Sequence, residues 1–215
     1  MAFTSIATDN FNRANGNIGS NWTHIRDIAW DATPPQILSN VVVGKSGGTA
    51  HYQVARWAGA GTFSDHQYAE VTFGGIAFNG TAFLAGVVVR CSADTDGAAD
   101  FYGAYILDDA ASGSNHTTEA FKMVNGTTTS IATITTTPWA NGDKMLLSII
   151  GSTLRLYKNR SILGTYTSQT DLTTGKPGIL VGGNATAVIS VDDAEMGDAT
   201  VDVASAAPAF FLFSC

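Results

Sequence analysis

Acidic side chains near both ends of the sequence have types and spacings that could support chemistry. Asp193 and Glu195 alternate along one apparent strand, so both would project from the same face of a sheet. Two carboxylates about 5 Å apart can cleave a sugar bond, one as acid and the other as nucleophile. If the first and last strands are neighbours, Asp192 and Asp193 would instead approach Asp9 and Asn10, and their hard oxygens would suit a structural Ca²⁺. In a third interpretation these acids cap turns or face water. No cofactor other than calcium is expected.

A second set of residues could hold a glycan. Flat aromatic rings cover the apolar face of a sugar, while polar side chains bond its hydroxyls. Arg90 ends an otherwise apolar strand, so its charge needs a partner or water. Tyr102 and Tyr105 would point to opposite faces, so at most one accompanies Arg90. Alternatively, the rings pack as core or rim with their polar tips at water. The candidate residues are Arg90, Tyr102, Tyr105, Trp57, His66 and Trp139.

Composition restricts the partners. The chain of 215 residues has a net charge of -7 and 11 Lys and Arg residues. Neutralising a phosphate backbone needs Lys and Arg, so no nucleic-acid partner is expected. Charged residues make up 13% of the chain, against about 25% in an average domain. Gly, Thr, Ala and Ser replace them, which is typical of a rigid, turn-rich β protein.

Short β runs separated by turn residues must position these side chains. The run Phe83–Cys91 is apolar on both faces until Arg90, which predicts a strand in the middle of a sheet. The run 101–107 is expected to be its antiparallel neighbour. Asn125-Gly126 between two extended runs predicts a hairpin. Sustained helical periodicity is nearly absent, so the sequence predicts one all-β domain over residues 1–199.

Further strands are predicted between clusters of Gly, Asn, Asp and Ser. They lie at 22–25, 28–31, 36–43, 51–57, 65–73, 119–124, 127–135, 144–150, 153–157, 161–167, 176–183 and 187–196. The stretch before them is interpreted as a loop that holds its shape by burying Phe11, Ile18 and Trp22.

Six groups of residues occur in a fixed order along the chain. They are Asp-Asn-Phe-Asn-Arg at 9–13 with Gly-Ser-Asn-Trp at 19–22, Phe-Ser-Asp-His-Gln-Tyr-Ala-Glu at 63–70, Ala-Gly-Val-Val-Val-Arg at 85–90, Phe-Tyr at 101–102, Leu-Arg-Leu-Tyr-Lys-Asn at 154–159 with Leu-Gly at 163–164, and Asp-Asp-Ala-Glu-Met-Gly-Asp at 192–198. Together they resemble the concanavalin A-like, or laminin-G-like, jelly-roll modules of bacterial and phage surface proteins. The resemblance covers roughly residues 5–198. It implies a jelly-roll β-sandwich of two antiparallel sheets.

The resemblance does not imply one activity, because this fold hosts lectins, glycanases, lyases and structural modules. Its retaining glycanases carry the pattern Glu-x-Asp-x-x-Glu, which does not occur in this sequence. The lyase pattern of the fold, built on Arg, Gln-x-His and a Tyr near the end, is not found either. Residues 192–195 resemble the closing strand of the family rather than its catalytic centre. We therefore expect no enzyme activity.

The segment 200–215 differs from the expected domain. Phe210, Phe211, Leu212 and Phe213 make it strongly apolar, whereas chain ends are usually frayed and polar. Such a segment must be buried, either on its own sandwich or as an added strand on a neighbouring subunit. We expect a docking arm, and a homo-oligomer or an assembly with other subunits.

The two cysteines, Cys91 and Cys215, have no close Cys or His at metal spacing. A disulfide between them would require the C-terminal segment to fold back across the sandwich. The alternative is a buried thiol and a free thiol in that segment.

The expected location is a virion or an extracellular surface. No signal peptide is visible, and no run approaches the ~20 apolar residues of a membrane helix, so no membrane insertion is expected. The Thr-rich, weakly charged surface looks extracellular, and a virion component is made inside a host and works outside it. The sequence thus predicts a non-enzymatic virion or surface decoration protein, anchored to partner subunits by its C-terminal segment. A carbohydrate-binding module or lectin is the alternative, and a polysaccharide hydrolase or lyase is the third interpretation.

Overall fold

The computed structural model describes residues 1–25, 34–44, 53–76, 83–92, 99–108, 117–135, 138–183 and 189–201. Within these ranges the chain forms β-strands and no helix. The strands are β1 (Ala2–Asp9), β2 (Gly16–Asn17), β3 (Trp22–Ile25), β4 (Gln36–Leu38), β5 (Val41–Val43), β6 (Gln53–Trp57), β7 (Gln67–Ile76), β8 (Phe83–Cys91), β9 (Phe101–Asp108), β10 (Thr117–Val124), β11 (Thr127–Ile134), β12 (Lys144–Ile150), β13 (Thr153–Lys158), β14 (Ser161–Tyr166), β15 (Lys176–Gly182) and β16 (Ile189–Thr200).

The strands form two antiparallel sheets. The nine-stranded sheet has the order β14-β13-β12-β7-β16-β5-β4-β2, and β1 also pairs with β16. The seven-stranded sheet has the order β11-β10-β9-β8-β15-β6-β3. Strands that are distant in sequence therefore lie side by side, and β16 joins the two ends of the chain. The predicted all-β architecture of two antiparallel sheets is confirmed.

The predicted central strand, β8, lies between β9 and β15 in the middle of the seven-stranded sheet. Val87 and Val89 face the core between the sheets, while Leu84 and Val88 belong to a cluster on the opposite face. All four side chains are buried. Burial on both faces explains why this run has no polar alternation.

Turn chemistry sets the hairpins. Asn125 and Gly126 have φ angles of 50° and 70° between β10 and β11, which is the conformation that Asn-Gly predicts. Ser39 and Asn40 also have positive φ, and they split the predicted strand 36–43 into the hairpin β4–β5. The prediction of one continuous strand was wrong there, because the Ser-Asn pair forms a turn inside an apolar run.

Other differences concern the two ends of the chain. The sequence analysis did not predict β1, which pairs with the last part of β16 so that Ala2 lies opposite Thr200. β16 therefore continues one residue beyond the expected domain end at residue 199. The parts of the sequence predictions that lie outside the described residues are the strand at 28–31 and the docking residues Phe210, Phe211, Leu212 and Phe213, together with Cys215.

Buried apolar side chains form three clusters. The largest lies between the sheets and includes Phe73 and Leu156. The second, with Phe121, lies on the opposite face of the seven-stranded sheet. The third lies on the opposite face of the nine-stranded sheet and includes Tyr68 and Leu146. We call that surface the outer face of the nine-stranded sheet, and its apolar cluster borders the polar side chains described below.

Cys91 is a free, fully buried thiol, and burial raises its pKa to about 12. Among the residues that the structure describes, no helix is long and apolar enough to cross a membrane.

Candidate functional site

The two ends of the chain meet at Asp9, as the calcium hypothesis requires. Asp9 ends β1 and lies opposite Ala194 of β16. Its carboxylate accepts two hydrogen bonds of 2.8 Å from Arg13 and one of 2.7 Å from Trp22 Nε1. The backbone N–H of Phe11 donates to it at 2.9 Å. Asp9 therefore fixes the loop that follows β1, and its oxygens already have protein partners.

The acids of this region have pKa values shifted in opposite directions. Burial disfavours the charge of Asp9, but hydrogen bonds from Arg13, Trp22 and the Phe11 backbone outweigh it and lower the pKa. The pKa of Asp192 is raised by burial and by the neighbouring charge of Asp193. Asp9, which is bonded to a guanidinium, therefore loses its proton at a lower pH than Asp192, which lies beside another acid.

The structure places three of the four proposed calcium ligands together. Asp9, Asn10 and Asp193 line one cleft, and Asp192 is not among the residues that line it. In the described part of the chain, no group of three or more His, Cys, Asp or Glu side chains is arranged to hold a metal ion. The calcium site stays a prediction.

This cleft lies on the outer face of the nine-stranded sheet and has a volume of about 480 Å³. Its lining is mostly polar and combines carboxylates, amides, hydroxyls and one ammonium group. We call it the polar cleft. The lining residues are Thr8, Asp9, Asn10, Asn21, Glu70, Thr72, Lys144, Asp193, Ala194 and Glu195.

Two carboxylates lie side by side in the polar cleft. Glu70 of β7 is directly opposite Glu195 of β16, and side chains in this relation lie about 5 Å apart. Arg160 donates to Glu70 Oε2 at 2.9 Å and Oε1 at 3.1 Å, and to Glu195 Oε1 at 3.4 Å. Lys144 Nζ lies 3.6 Å from Glu70 Oε1. The two cations offset the repulsion between the paired acids.

Tyr68 connects this acid pair to the apolar cluster. Its hydroxyl donates to Glu195 Oε1, and its side chain is buried. Burial raises its pKa, and the hydrogen bond to Glu195 raises it further. Tyr68 therefore stays a hydrogen-bond donor over the whole physiological pH range, and it holds Glu195 in place.

A tight turn positions Arg160. Asn159 and Arg160 have φ angles of 49° and 63° between β13 and β14, and the sequence predicted a turn at this pair. Arg160 is an exposed residue of this turn, and its guanidinium carbon lies 5.5 Å from the centroid of the Phe3 ring. One side chain thus touches both the acid pair and the aromatic part of the outer face.

An apolar groove lies beside the polar cleft on the same outer face. Its lining residues are Met1, Phe3, Arg155, Tyr157, Arg160, Ile162 and Val201. Phe3 packs against Tyr68 and Tyr157, with ring centroids 5.0 Å and 5.7 Å apart. Phe3 is half-buried, so part of its ring faces solvent. The outer face therefore offers an aromatic surface beside a set of hydrogen-bonding groups.

Arg90, the first sugar-binding candidate, is not on this face. It is only 3% exposed, and its guanidinium donates to the carbonyls of Asp65, Leu172 and Gly151 at 2.7–3.1 Å. Its backbone N–H donates to Gln67 Oε1 at 3.0 Å. The partner that its charge was expected to need is a ring of backbone carbonyls. Arg90 therefore has a structural role, and its guanidinium group is not available to bind a glycan.

The aromatic candidates are likewise buried, as the alternative interpretation held. Trp57 donates to the Ala60 carbonyl at 3.0 Å, Trp139 donates to Thr118 Oγ1 at 2.8 Å, and the Tyr102 hydroxyl accepts from the Leu172 backbone N–H at 3.2 Å. These three belong to the core between the sheets.

The remaining two candidates lie apart from the core. Tyr105 belongs to the cluster on the other side of the seven-stranded sheet, and its hydroxyl donates to Glu119. His66 is exposed, and its Nδ1 accepts from the Gly151 backbone N–H at 3.1 Å. The structure therefore does not bring the six sugar-binding candidates together.

The residues that do meet in the polar cleft were only partly visible in sequence. The alternation in β7 puts Tyr68, Glu70 and Thr72 on one face, and the alternation in β16 does the same for Asp193 and Glu195. Nothing local indicates that these strands pair. The two sets of side chains meet because β7, from the middle of the chain, pairs with β16, from near its end, in one particular register.

The comparisons with known proteins concern the fold. No family model and no curated protein matches the sequence. Among solved structures, an endo-β-1,3-glucanase from Pyrococcus furiosus has a TM-score of 0.59 at 12% identity, with 93% of this chain and 96% of that chain covered. The CBM2 module of the evolved Dit of Lactobacillus casei BL23 phage J-1 has a TM-score of 0.56 at 11% identity, with 90% and 95% covered.

A third similar structure is the carbohydrate-binding module CBM66 from Bacillus subtilis, with a TM-score of 0.53 at 17% identity and 83% and 92% of the two chains covered. These similarities, with the two antiparallel sheets, confirm the jelly-roll β-sandwich fold that the sequence predicted. At such low identity they show the fold and no activity.

Proposed function

We propose that the protein is a lectin-like carbohydrate-binding module whose glycan lies in the polar cleft on the outer face of the nine-stranded sheet. The observation that carries the proposal is the lining of that cleft. Carboxylates accept hydrogen bonds from sugar hydroxyls, Lys144 donates to them, and amides do both. The neighbouring Phe3 ring supplies an apolar surface for the face of a sugar. The similarity in fold to the carbohydrate-binding module CBM66 supports this choice.

Binding fits the geometry better than hydrolysis does. A retaining glycosidase needs two carboxyl groups that both reach the sugar bond. Glu70 is 2% exposed and is held by Arg160 and Lys144, so it does not reach a sugar in the cleft. Of the Glu70–Glu195 pair, only Glu195, whose side chain is 31% exposed, is accessible. The exposed Asp193 lies two residues from Glu195 on the same strand, about 7 Å away, which is wider than the spacing of about 5 Å in a retaining pair. Arg160 and Lys144 therefore hold the Glu70–Glu195 pair in a fixed position at the base of the cleft. The pair presents acceptor oxygens in a defined orientation.

A glycan array tests the proposal. The wild-type chain should bind a restricted set of glycans, and Asp193→Ala, an exposed cleft residue in β16, should lower the signal at least tenfold. Asp171→Ala is the matched control, because Asp171 is also acidic and exposed but pairs with Lys122 away from the cleft; it should bind like wild type. An equal loss of glycan binding in both variants, or no glycan bound by the wild type, would contradict the proposal.

The same glycans test the hydrolase interpretation. Each glycan bound on the array is incubated with the protein, and reducing ends are measured over time. We expect no release from the wild type or from Glu195→Gln. Release that Glu195→Gln abolishes would show an enzyme and would replace the binding proposal.

We further propose that the module works on a virion or cell surface, fixed there by its C-terminal segment. The strong apolar character of residues 209–213 supports this role, as does the similarity to a module of a phage protein. Mass spectrometry of purified particles should find the wild-type chain and lose it when the chain stops after Val201. Equal recovery of both chains would contradict the anchoring role.

A further inference from the structure

The carboxylates that line the polar cleft differ in how far the protein itself satisfies them. The Asp9 carboxylate accepts two hydrogen bonds from Arg13. The Glu70 carboxylate accepts two from Arg160 and lies 3.6 Å from Lys144 Nζ. Cations of the protein therefore neutralise these two acids, which leaves them little charge to offer a ligand.

Asp193 and Glu195 are the carboxylates of the cleft that reach solvent. Asp193 is exposed, and no residue of the described ranges bonds or pairs with its side chain. The Glu195 side chain is 31% exposed, and its two donors, Tyr68 and Arg160, both bond Oε1. Both oxygens of Asp193 and Oε2 of Glu195 are therefore left for a ligand.

The strand register keeps the nearest lining cation away from Asp193. Thr72 of β7 lies opposite Asp193 on one side and opposite Lys144 of β12 on the other. Two strand spacings separate the Cα atoms of Lys144 and Asp193, which is about 10 Å. The Lys144 ammonium group contacts Glu70 instead. Asp193 therefore keeps its negative charge without a compensating partner at its side.

Asp193 and Glu195 are suitably placed to bind one positive group together. They occupy alternate positions of β16, so they project from the same face about 7 Å apart. An ammonium group between them can contact both, since charge-assisted hydrogen bonds of this kind are about 2.7–2.9 Å long. A carboxylate or sulfate in the same place would meet two like charges, and the net charge of -7 of the whole chain adds to that repulsion.

We propose that the polar cleft selects glycans by charge: it prefers sugars with a free amino group and rejects sugars that carry a carboxylate or a sulfate. Asp193 and Glu195 bind the ammonium group, while Thr72 and Asn21, which also line the cleft, bond hydroxyls of the sugar. The inference rests on the proposed glycan binding and adds the chemical class of the sugar to it.

An array of matched oligosaccharides tests the selection. Each set shares linkage and length, and its members differ in one group: a free amine, an acetylated amine, a hydroxyl, a carboxylate or a sulfate. Free-amine members should bind the wild type at least about fivefold more tightly than their acetylated and hydroxyl counterparts, and acidic members should not bind. The preference should shrink between about 0.1 M and about 1 M salt, because the screening length falls from about 10 Å to about 3 Å.

Asp193→Asn removes the charge and keeps the size and an acceptor oxygen of the side chain. The ratio of free-amine to hydroxyl binding should fall at least about twofold, while binding of the hydroxyl member is retained. The double variant Asp193→Asn, Glu195→Gln should bind both members equally, with circular dichroism confirming its fold. Asp171→Asn is the matched control, since Asp171 pairs with Lys122 outside the cleft, and it should keep the wild-type ratio.

The outcomes separate this inference from the proposal beneath it. Wild type that binds acidic members, or binds hydroxyl or acetylated members as tightly as free-amine ones, overturns the selection by charge and leaves glycan binding in place. A preference for free amines that is the same in wild type and Asp193→Asn also overturns it. A wild type that binds no member of any set contradicts glycan binding itself.

Discussion

At the scale of single residues, buried charges organise this protein. Asp9 holds the loop after β1 through Arg13 and Trp22, and Arg90 gathers three backbone carbonyls that come from separate loops. A charge that is removed from water needs several hydrogen bonds to make up for its lost hydration. With 13% charged residues, the chain uses a large part of its charge for structure.

Asp9→Asn should lower the stability of the protein by about 2 kcal/mol at pH 7, because hydrogen bonds to a charged group are lost. The folded pKa of Asp9 is lowered, so its stabilisation is complete above the unfolded pKa of about 3.9 and disappears as pH falls through the lower folded value. The difference between wild type and variant should therefore shrink below about pH 4. Urea unfolding at several pH values measures it.

Asp192→Asn is the control variant, because its effect on the free energy of unfolding at pH 7 should have the opposite sign. The pKa of Asp192 is raised in the folded protein, so its ionisation destabilises the fold at neutral pH. The variant should be more stable than wild type at pH 7, and the gain should vanish in acid. A pH dependence of the same sign in both variants would contradict the assignment of the two acids.

Arg90→Met should destabilise the fold by about 3–5 kcal/mol, because the hydrogen bonds from the charged guanidinium to three backbone carbonyls are lost. Glycan binding by the folded fraction should not change, since the Arg90 side chain is buried and does not line the polar cleft. The control Arg155→Met, on the outer face, should change stability by less than about 0.5 kcal/mol. Weaker glycan binding by fully folded Arg90→Met would restore Arg90 as a sugar ligand.

At the scale of elements, close contact between strands limits the side chains that fit. Gly86 of β8 lies against β9, and a Cβ placed there would be 1.9 Å from the Ala104 carbonyl oxygen. The strands pair over most of their length, so neither can shift alone. The centre of the seven-stranded sheet therefore requires a residue without a side chain at this position.

Gly86→Ala should cost more than about 3 kcal/mol, because the added methyl group forces two paired strands apart. The control exchange Ala85→Gly, one residue away, should cost about 1–2 kcal/mol, through backbone entropy and the loss of one buried methyl group. Thermal unfolding of both variants gives the comparison. Equal midpoints for Gly86→Ala and wild type would show that β8 and β9 do not pair as described.

The parts of the fold that local chemistry determines could be predicted from sequence. The Asn125-Gly126 hairpin and the doubly buried β8 are such parts, since a turn dipeptide and an apolar run carry their own signal. β1 could not be predicted, because its alternation is weak and its stability comes from pairing with β16. The candidate site could be predicted only in part for the same reason. Asp193 and Glu195 were candidates from the sequence, but Glu70 was not, because it meets Glu195 only through strand register. The aromatic candidates could not be told from core residues, because size and polarity are alike in both roles.

At the scale of the whole molecule, the outer face of the nine-stranded sheet carries the polar cleft and the apolar groove side by side. Arg160 lines the groove and connects the two surfaces, because it binds Glu70 and Glu195 of the cleft and lies over the Phe3 ring. A glycan bound in the cleft would therefore lie next to the aromatic surface of Phe3.

The most direct measurement is to map amide chemical shifts by NMR while adding the glycan that binds best on the array. The account predicts that the largest changes occur at Thr8, Asn21, Thr72 and Asp193, which line the polar cleft. Residues of the edge strand β11 of the seven-stranded sheet, such as Thr129, should not change. Shifts confined to the seven-stranded sheet, which includes Trp57 on β6 and Tyr102 on β9, would contradict the account.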